Sequence, residues 1–460
     1  MPSAGAGENA TFTEPRRPND QLISSSEPPP LIIVEGFLGG LGGEMVWGDF
    51  RTYINAETSL STDILEYETR KIMFANVGPV SSLHDRACEL FYTIMGGTVD
   101  YGETHSMKYG HARFGRCHSE GLYPGWSVER PLHFLGHSIG GMTIVALQRL
   151  LKDQFFGDKS RPDMMKSVST VCSPFRGTQA VYALGERTNA APAVRPMSIG
   201  SALSKTVHLL SYLAPVVSPF VDLHADSRRL SFLETSFSAF LRQLWKSDWA
   251  ESKDAMPYEV TFAAADEREG IGEDVLHSRT FYRSYVARMT EPELSRNLRV
   301  EVPTADHLPV VPLYALAHSI GSFDFSVLDP SPSFLFKAPP PGQKVADDIE
   351  IIASVSPSDL GEEYWANDGV VPIFSQWHPF DCSRTRCRHY TRDPLGTQSK
   401  NGPMEKDAPR ELIEPGMWHV HRLDQAHHVS IMPVWLGSQR QKDFWGDFGN
   451  WLRKVDAHGE

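Results

Sequence analysis

One serine stands between glycines in Gly136-His137-Ser138-Ile139-Gly140-Gly141. The run before it, Leu132 to Leu135, is short and greasy, whereas Ile144, Leu147, Leu150 and Leu151 behind it recur at helical spacing. A strand that turns sharply into a helix forces its central residue into a strained conformation and requires small neighbours. It also lifts the hydroxyl above the C-terminal edge of a sheet, at a helix N-terminus whose partial positive charge favours a developing anion. Gly-x-Ser-x-Gly alone is a weak signal; the change of period across it makes it a nucleophile elbow.

A hydroxyl becomes a useful nucleophile when a histidine, oriented by a carboxylate, takes its proton. In this strand–turn–helix setting the chain order is Ser, then Asp or Glu, then His, so both partners belong downstream. Asp368, in Trp365-Ala-Asn-Asp-Gly-Val-Val, is one candidate; Asn-Asp-Gly is equally a turn signal. Near the end, HRLDQAHHVSIM offers His421, His427 and His428, among which periodicity does not choose. His105 and His111 are close enough for one short loop to wrap a metal ion, although histidines in a polar loop are often merely solvated.

Around these residues the chain alternates strand and helix signals. Leu31-Ile32-Ile33-Val34 reads as a strand buried on both faces, followed by the loop Gly36 to Gly40. Residues 68–130 read as loop-rich, 142–153 as helix, and 167–172, 258–263 and 281–287 as strands. Ile199, Leu203, Val207, Leu210 and Leu213 form an apolar helical stripe bounded by Pro196 and Pro215. Residues from about 325 to 415, rich in Pro, Gly and charge, read as long loops. No internal repeat is evident, and the alternation predicts an α/β fold with a mainly parallel sheet.

Acidic residues outnumber basic ones, 57 to 44, for a formal net charge of −13, which argues against a nucleic-acid partner. The segment 1–29 reads as a disordered tail without the apolar core of a signal peptide, and no later stretch reads as membrane-spanning. A cytoplasmic location is the expectation from this; the sequon Asn9-Ala10-Thr11 matters only in a secreted chain. Five cysteines make no disulfide scaffold, and Cys382 and Cys387 could pair in a loop or remain free.

The stretch NVGPVSSLHDRACELFYTIMGGTVDYGETHSMKYGHARFGR, Asn76 to Arg116, together with the serine elbow, resembles the zinc-containing, thermoalkalophilic lipases of Gram-positive bacteria. The similarity runs from about Pro30 to Trp451. It implies an α/β-hydrolase domain over 30–460, with a zinc-binding insertion at about 84–116 and a lid region at about 180–255. It implies Ser138 as nucleophile, Asp368 as acid and, by spacing from Trp418, His428 as base. It also implies an oxyanion hole from the backbone N–H groups of Phe37 and Ile139.

A structural zinc would be held by Asp85, His105, His111 and Asp254, a closed set of four ligands. His84 stands where the family has Trp, Ile139 where it has Gln, and Glu35 where it has His. Ser430, Trp435 and Leu436 replace the family's oxygen ligands for calcium, so no calcium is expected there. The 199–213 stripe falls at the family's lid helix. The implied activity is hydrolysis of carboxylic esters with apolar acyl chains, such as acylglycerols, at a lipid interface, with no obligate protein partner. Glu35, a carboxylate near the oxyanion loop, points instead to a hydrolase fold that binds lipid or protein without turnover; the same triad could also serve an acyltransferase. The bacterial relatives are secreted, the alternative to a cytoplasmic location.

Overall fold

The computed structural model describes residues 27–39, 46–56, 69–272, 276–295, 298–336, 360–390, 393–395 and 413–458. Residues 1–26 of the expected tail lie outside the described residues.

The described residues form eleven strands: β1 (Leu31–Val34), β2 (Ile72–Ala75), β3 (Gly97–Asp100), β4 (Phe114–His118), β5 (Leu132–His137), β6 (Met165–Val171), β7 (Phe281–Arg288), β8 (Thr290–Ser295), β9 (Leu298–Pro303), β10 (Cys387–Tyr390) and β11 (Trp418–Asp424). Seven build one sheet in the order β10-β11-β7-β6-β5-β1-β2, and every neighbouring pair runs parallel. β3-β4 and β8-β9 are separate antiparallel pairs. The expectation of a mainly parallel sheet is met, and the reason is visible in β1, β5 and β7. All their residues are buried, as strands covered by helices on both faces must be; β1 is a continuous apolar run, whereas β5 and β7 also bury His and Arg side chains.

One face of the sheet packs against the helices Leu83–Met95 and Ile139–Lys152, through Leu90, Ile94, Ile144, Leu147 and Leu151. The other packs against Phe50–Ile54 and Gln439–Ala457, through Phe50, Phe444, Trp445, Phe448 and Trp451. The chain leaves β1 towards β2 on one side and returns at β5 to build the rest of the sheet on the other. The loops after β1 and β5 therefore diverge at a topological switch point. In open α/β sheets the crevice for ligands forms there, beyond the carboxyl ends of the strands.

Three sequence readings need correction. Residues 68–130 are not loop-rich: they hold β2, β3, β4 and the helices Leu83–Met95 and Glu103–Tyr109. The first of these helices turns Asp85, Arg86, Glu89 and Thr93 inward, so it carries no clean apolar stripe. Residues 258–263 are not a strand. Pro257 starts a short helix, Met256–Glu259, and the Thr261 side chain caps the next, Phe262–Gly270, by accepting from Ala264 N. The region 325–415 contains the helix Ile373–Gln376 and the edge strand β10, while 337–359, 391–392 and 396–412 lie outside the described residues.

Candidate active site

Ser138 follows β5 and precedes the first residue of the 139–152 helix with φ +55° and ψ −130°. This conformation costs a non-glycine residue on the order of 1–3 kcal/mol and persists only where the surroundings enforce it. Ser138 N donates to Val171 O at 2.8 Å, locking the turn onto β6. A Cβ on Gly140 would lie 2.1 Å from Val34 O, so the helix can approach β1 only with glycine there.

Asp368 is fully buried in the loop that closes on the end of β7. Its Oδ1 accepts from Val370 N (2.9 Å) and Val371 N (2.7 Å), and its Oδ2 from His428 Nδ1 at 2.8 Å. The backbone repeats the link, His428 N donating to Asp368 O at 2.8 Å. Of the three candidate histidines, His428 meets the carboxylate. His421 lies in β11 stacked on Tyr390, and His427 packs beside His307.

His137, next to the serine, donates from Nε2 to His428 O at 2.8 Å and joins the elbow to the histidine loop. Burial, then the neighbouring His428, pushes its pKa down to about 3, so it is neutral. Among the described residues no hydrogen bond joins Ser138 Oγ to His428. Such bonds are often long in ligand-free hydrolases and tighten when substrate is bound. Cys172, at the end of β6, comes within 4.8 Å of both Asp368 and His428. Burial, and then the Asp368 charge, keeps this thiol protonated. Sequence reasoning missed His137 and Cys172, since a lone residue at a strand end carries no local signal.

The Glu35–Leu38 loop after β1 passes over the serine. A Cβ on Gly36 would sit 2.7 Å from Ser138 Cβ. Among the described residues, neither Phe37 N nor Ile139 N has a hydrogen-bond partner, and both residues line the cavity into which Ser138 opens. Arg86, fully buried and unnoticed in the sequence, holds this loop in place. It donates to Glu35 O (2.6 Å), Gly78 O (2.6 Å) and Thr143 Oγ1 (2.8 Å), and Thr143 in turn donates to Ile139 O. The Glu35 carboxylate accepts from Trp47 Nε1 at 2.9 Å.

The cavity beside Ser138, of about 140 Å³, is lined chiefly by apolar groups, among them Phe37, Val181, Leu184, Leu203, Met256 and Val260. Its carboxylate is Glu186, whose pKa burial lifts to about 7 against a hydrogen bond from Ala193 N. Leu203 belongs to the helix Ile199–Tyr212, of which Val207 is buried while Ile199 and Leu209 are exposed. That helix packs against Phe237–Trp245, Tyr212 stacking on Phe240 at 4.3 Å. The outer surface of this region carries Phe220, Leu233, Phe237 and Trp245, the last 93% exposed.

Asp85, His105, His111 and Asp254 converge, their ligand atoms all within 4.8 Å of one another. Their N···O separations run from 3.1 to 3.9 Å. The edge of a tetrahedron with metal–ligand bonds of ~2.0–2.1 Å is ~3.3–3.4 Å. Asp85 Oδ1, His105 Nε2 and His111 Nε2 are buried without hydrogen-bond partners. His111 donates from Nδ1 to Ala112 O at 2.9 Å, leaving Nε2 as a bare lone pair aimed inward. Arg228 bridges the outer oxygens of Asp85 (2.9 Å) and Asp254 (2.5 Å). Burial opposes charging of His105, but the two carboxylates outweigh it and hold its pKa up to about 9, the mark of a pocket that attracts a cation. His84 stacks on His105 at 3.8 Å and meets the edge of Phe155.

A family model described as "Lipase-like, C-terminal domain" matches residues 27–268. Lipase of Staphylococcus hyicus is 30% identical over 294 residues, 58% of this chain and 42% of its own length. Lipase 2 of Staphylococcus aureus is 32% identical over 367 residues, 76% of this chain and 45% of its own. The chain thus spans less than half the length of these relatives. Among solved structures, the crystal structure of Staphylococcus hyicus lipase superposes with a TM-score of 0.65 at 21% identity, covering 98% of this chain and 100% of that one. Lipase 1 from Pelosinus fermentans superposes with 0.58 at 22%, covering 94% and 99%. At these identities the likeness speaks for the fold. The family match, spanning more than half of the chain, makes the conclusion plain: the chain belongs to the lipase-like family, alongside the lipases of Gram-positive bacteria.

Proposed function

We propose that the chain is a serine ester hydrolase that cleaves carboxylic esters with apolar acyl chains, acylglycerols among them. The observation that carries this is the Asp368–His428 hydrogen bond at 2.8 Å beside a serine held at positive φ at the mouth of an apolar cavity. Ser138 Oγ attacks the ester carbonyl while His428 Nε2 takes its proton, and Asp368 holds the imidazole in the tautomer that leaves Nε2 free. The carbonyl oxygen becomes an oxyanion facing Phe37 N and Ile139 N. His428 then protonates the leaving alcohol, and water releases the acyl group from Ser138 by the same steps in reverse. Glu35 does not weigh against turnover, because its carboxylate is engaged by Trp47.

An apolar cavity of ~150 Å³ accommodates one benzene molecule, so about 140 Å³ accepts on the order of six acyl carbons. Longer chains require the 199–212 helix to move. The exposed Phe237, Leu233 and Trp245 suit it and its neighbour to a lipid surface, the setting in which a lid opens. Asp85, His105, His111 and Asp254 fit a zinc ion, which would supply cross-linking of the insertion to the 254 segment and leave no ligand position for chemistry.

Labelling with a fluorophosphonate, followed by peptide mapping, should modify Ser138 in the wild type and nothing in Ser138→Ala. In parallel, hydrolysis of p-nitrophenyl esters from acetate to palmitate should favour short chains in solution and extend to long ones on an emulsion. Absence of both labelling and hydrolysis in a folded protein would refute the assignment.

A further inference from the structure

A second cluster of ligand-type side chains lies outside the site and the insertion, within the twelve residues HPFDCSRTRCRH. We infer that His378, Cys382, Cys387 and His389 form a second structural zinc site, which clasps the edge of the central sheet to the segment bearing Asp368. One ligand atom from each of the four lies within 4.8 Å of all the others. Cys382 Sγ is 3.3 Å from His389 Nε2 and 3.7 Å from His378 Nε2. For Zn–S bonds of ~2.3 Å and Zn–N bonds of ~2.0–2.1 Å, the edges of a tetrahedron are about 3.3–3.8 Å. The two sulfurs are close but not bonded: all five cysteines are free thiols.

The nitrogens are prepared as zinc ligands need to be. His378, fully buried, donates from Nδ1 to Pro379 O at 2.7 Å, which fixes its tautomer and leaves the Nε2 lone pair towards Cys382. Its ring and that of His389 meet edge to face at 5.8 Å, and Trp377 meets His389 edge to face at 4.8 Å. The donor set is two thiolates and two imidazoles, which selects zinc among common divalent ions; the two thiolate charges cancel that of the ion. All four positions come from protein, so the site is closed and structural.

Its position explains why it would exist. β10 is four residues long and, among the described residues, sits at the edge of the sheet and pairs only with β11. An edge strand this short has little of its own to hold it. Cys387 and His389 belong to it, while His378 closes the run from Asp368 through the helix Ile373–Gln376, which packs on β7. An ion shared by the four joins the two segments directly.

The test is metal analysis of the purified full-length chain, with cobalt as a spectroscopic probe. Zinc should be found at two equivalents per chain. Cys382→Ser and Cys387→Ser should each lose one equivalent, and Asp85→Ala the other. After chelation, wild type refilled with cobalt(II) should show intense thiolate-to-cobalt charge transfer in the near ultraviolet. That band should persist in Asp85→Ala, whose remaining site alone contains sulfur. The cobalt spectrum of the wild type keeps the inference testable if a cysteine variant does not fold. A refilled wild type without the band, iron or copper in place of zinc at these thiols, or an intact mass two hydrogens light from a Cys382–Cys387 disulfide would each overturn it.

Discussion

Replacing Asp368 by asparagine separates the charge and polarity of this group from its shape. Asp368 gives Oδ1 to two backbone N–H groups and Oδ2 to His428. An asparagine in the same pocket must keep its carbonyl oxygen on Val370 N and Val371 N, because its NH2 there would face two donors. The NH2 then points at His428 Nδ1, which has to accept rather than donate. His428 consequently carries its proton on Nε2, the atom that should receive the proton from Ser138. In Ser-His-Asp enzymes a change of this kind costs ~10⁴ in kcat, equivalent to about 5.4 kcal/mol of barrier at ~1.36 kcal/mol per tenfold. KM should stay within about threefold, since Asp368 does not line the acyl cavity. Stability should fall modestly, because both donors on Oδ1 remain satisfied and what is lost is the charge-assisted part of the bonds, ~1–3 kcal/mol. The assay is kcat and KM for p-nitrophenyl butyrate, with Ser138→Ala as the floor and a melting curve for each variant. A folded Asp368→Asn protein that keeps more than a tenth of wild-type kcat would refute the role of this carboxylate.

Gly36→Ala places a methyl 2.7 Å from Ser138 Cβ and should displace the loop carrying Phe37 N. The expected loss is ~10²–10³ in kcat, as for a missing oxyanion donor, with a much smaller change in melting temperature; unchanged kcat would remove Phe37 from the oxyanion site. Glu186 is neutral below about pH 7 and charged above it, so KM for apolar esters should rise as pH passes that value and should stay flat in Glu186→Gln. Its folded pKa lies above the unfolded one, so folding favours the protonated form and wild type loses stability between about pH 4.5 and 7. The loss is at most about 3 kcal/mol, and calorimetry at pH 8 should find Glu186→Gln the more stable protein. Asp85→Ala should lose one zinc and melt at least ~5 °C lower, given the several kcal/mol a structural zinc contributes; metal content and calorimetry on one sample decide it.

The elbow was legible because its signal is local: a buried strand passes into a helix across a residue flanked by glycine, and both periods lie within twenty residues. The same holds for β1, whose apolar run Leu31-Ile32-Ile33-Val34 needs no knowledge of distant contacts. Asp368 was ambiguous between turn-former and acid, and its geometry serves both, Oδ1 making the turn and Oδ2 holding His428. What escaped is what depends on partners far along the chain. Tyr258, Val260, Thr261 and Phe262 favour strand by type, but Pro257 and the Thr261 cap commit the segment to helices. Cys382 and Cys387 read in sequence as a loop disulfide or as free thiols, because H-x3-C-x4-C-x-H matches no common zinc spacing.

The 83–95 helix shows why a fold would keep charges in its interior. Asp85 turns towards the Asp/His cluster, and the adjacent Arg86 turns towards the loop after β1. Burial lowers the Arg86 pKa to about 10, against the opposing charges of Glu89 and Glu35, so it remains a cation at neutral pH. Taking a guanidinium out of water costs several kcal/mol, and apolar packing of similar volume would often be as stable. Apolar packing, however, has no direction, whereas this guanidinium fixes the carbonyls of Glu35 and Gly78 and the hydroxyl of Thr143. Glu89, one turn further on, accepts from Gly78 N, Tyr101 and His224, carrying the network from the loop after β2 to the end of β3 and the 224 segment. On the mechanism proposed above, the stability forgone in burying these charges is exchanged for the placement of one backbone N–H, that of Phe37, two residues beyond the carbonyl Arg86 holds. An oxyanion donor misplaced by an ångström stabilises little, so a rigid charged support here is consistent with acyl transfer.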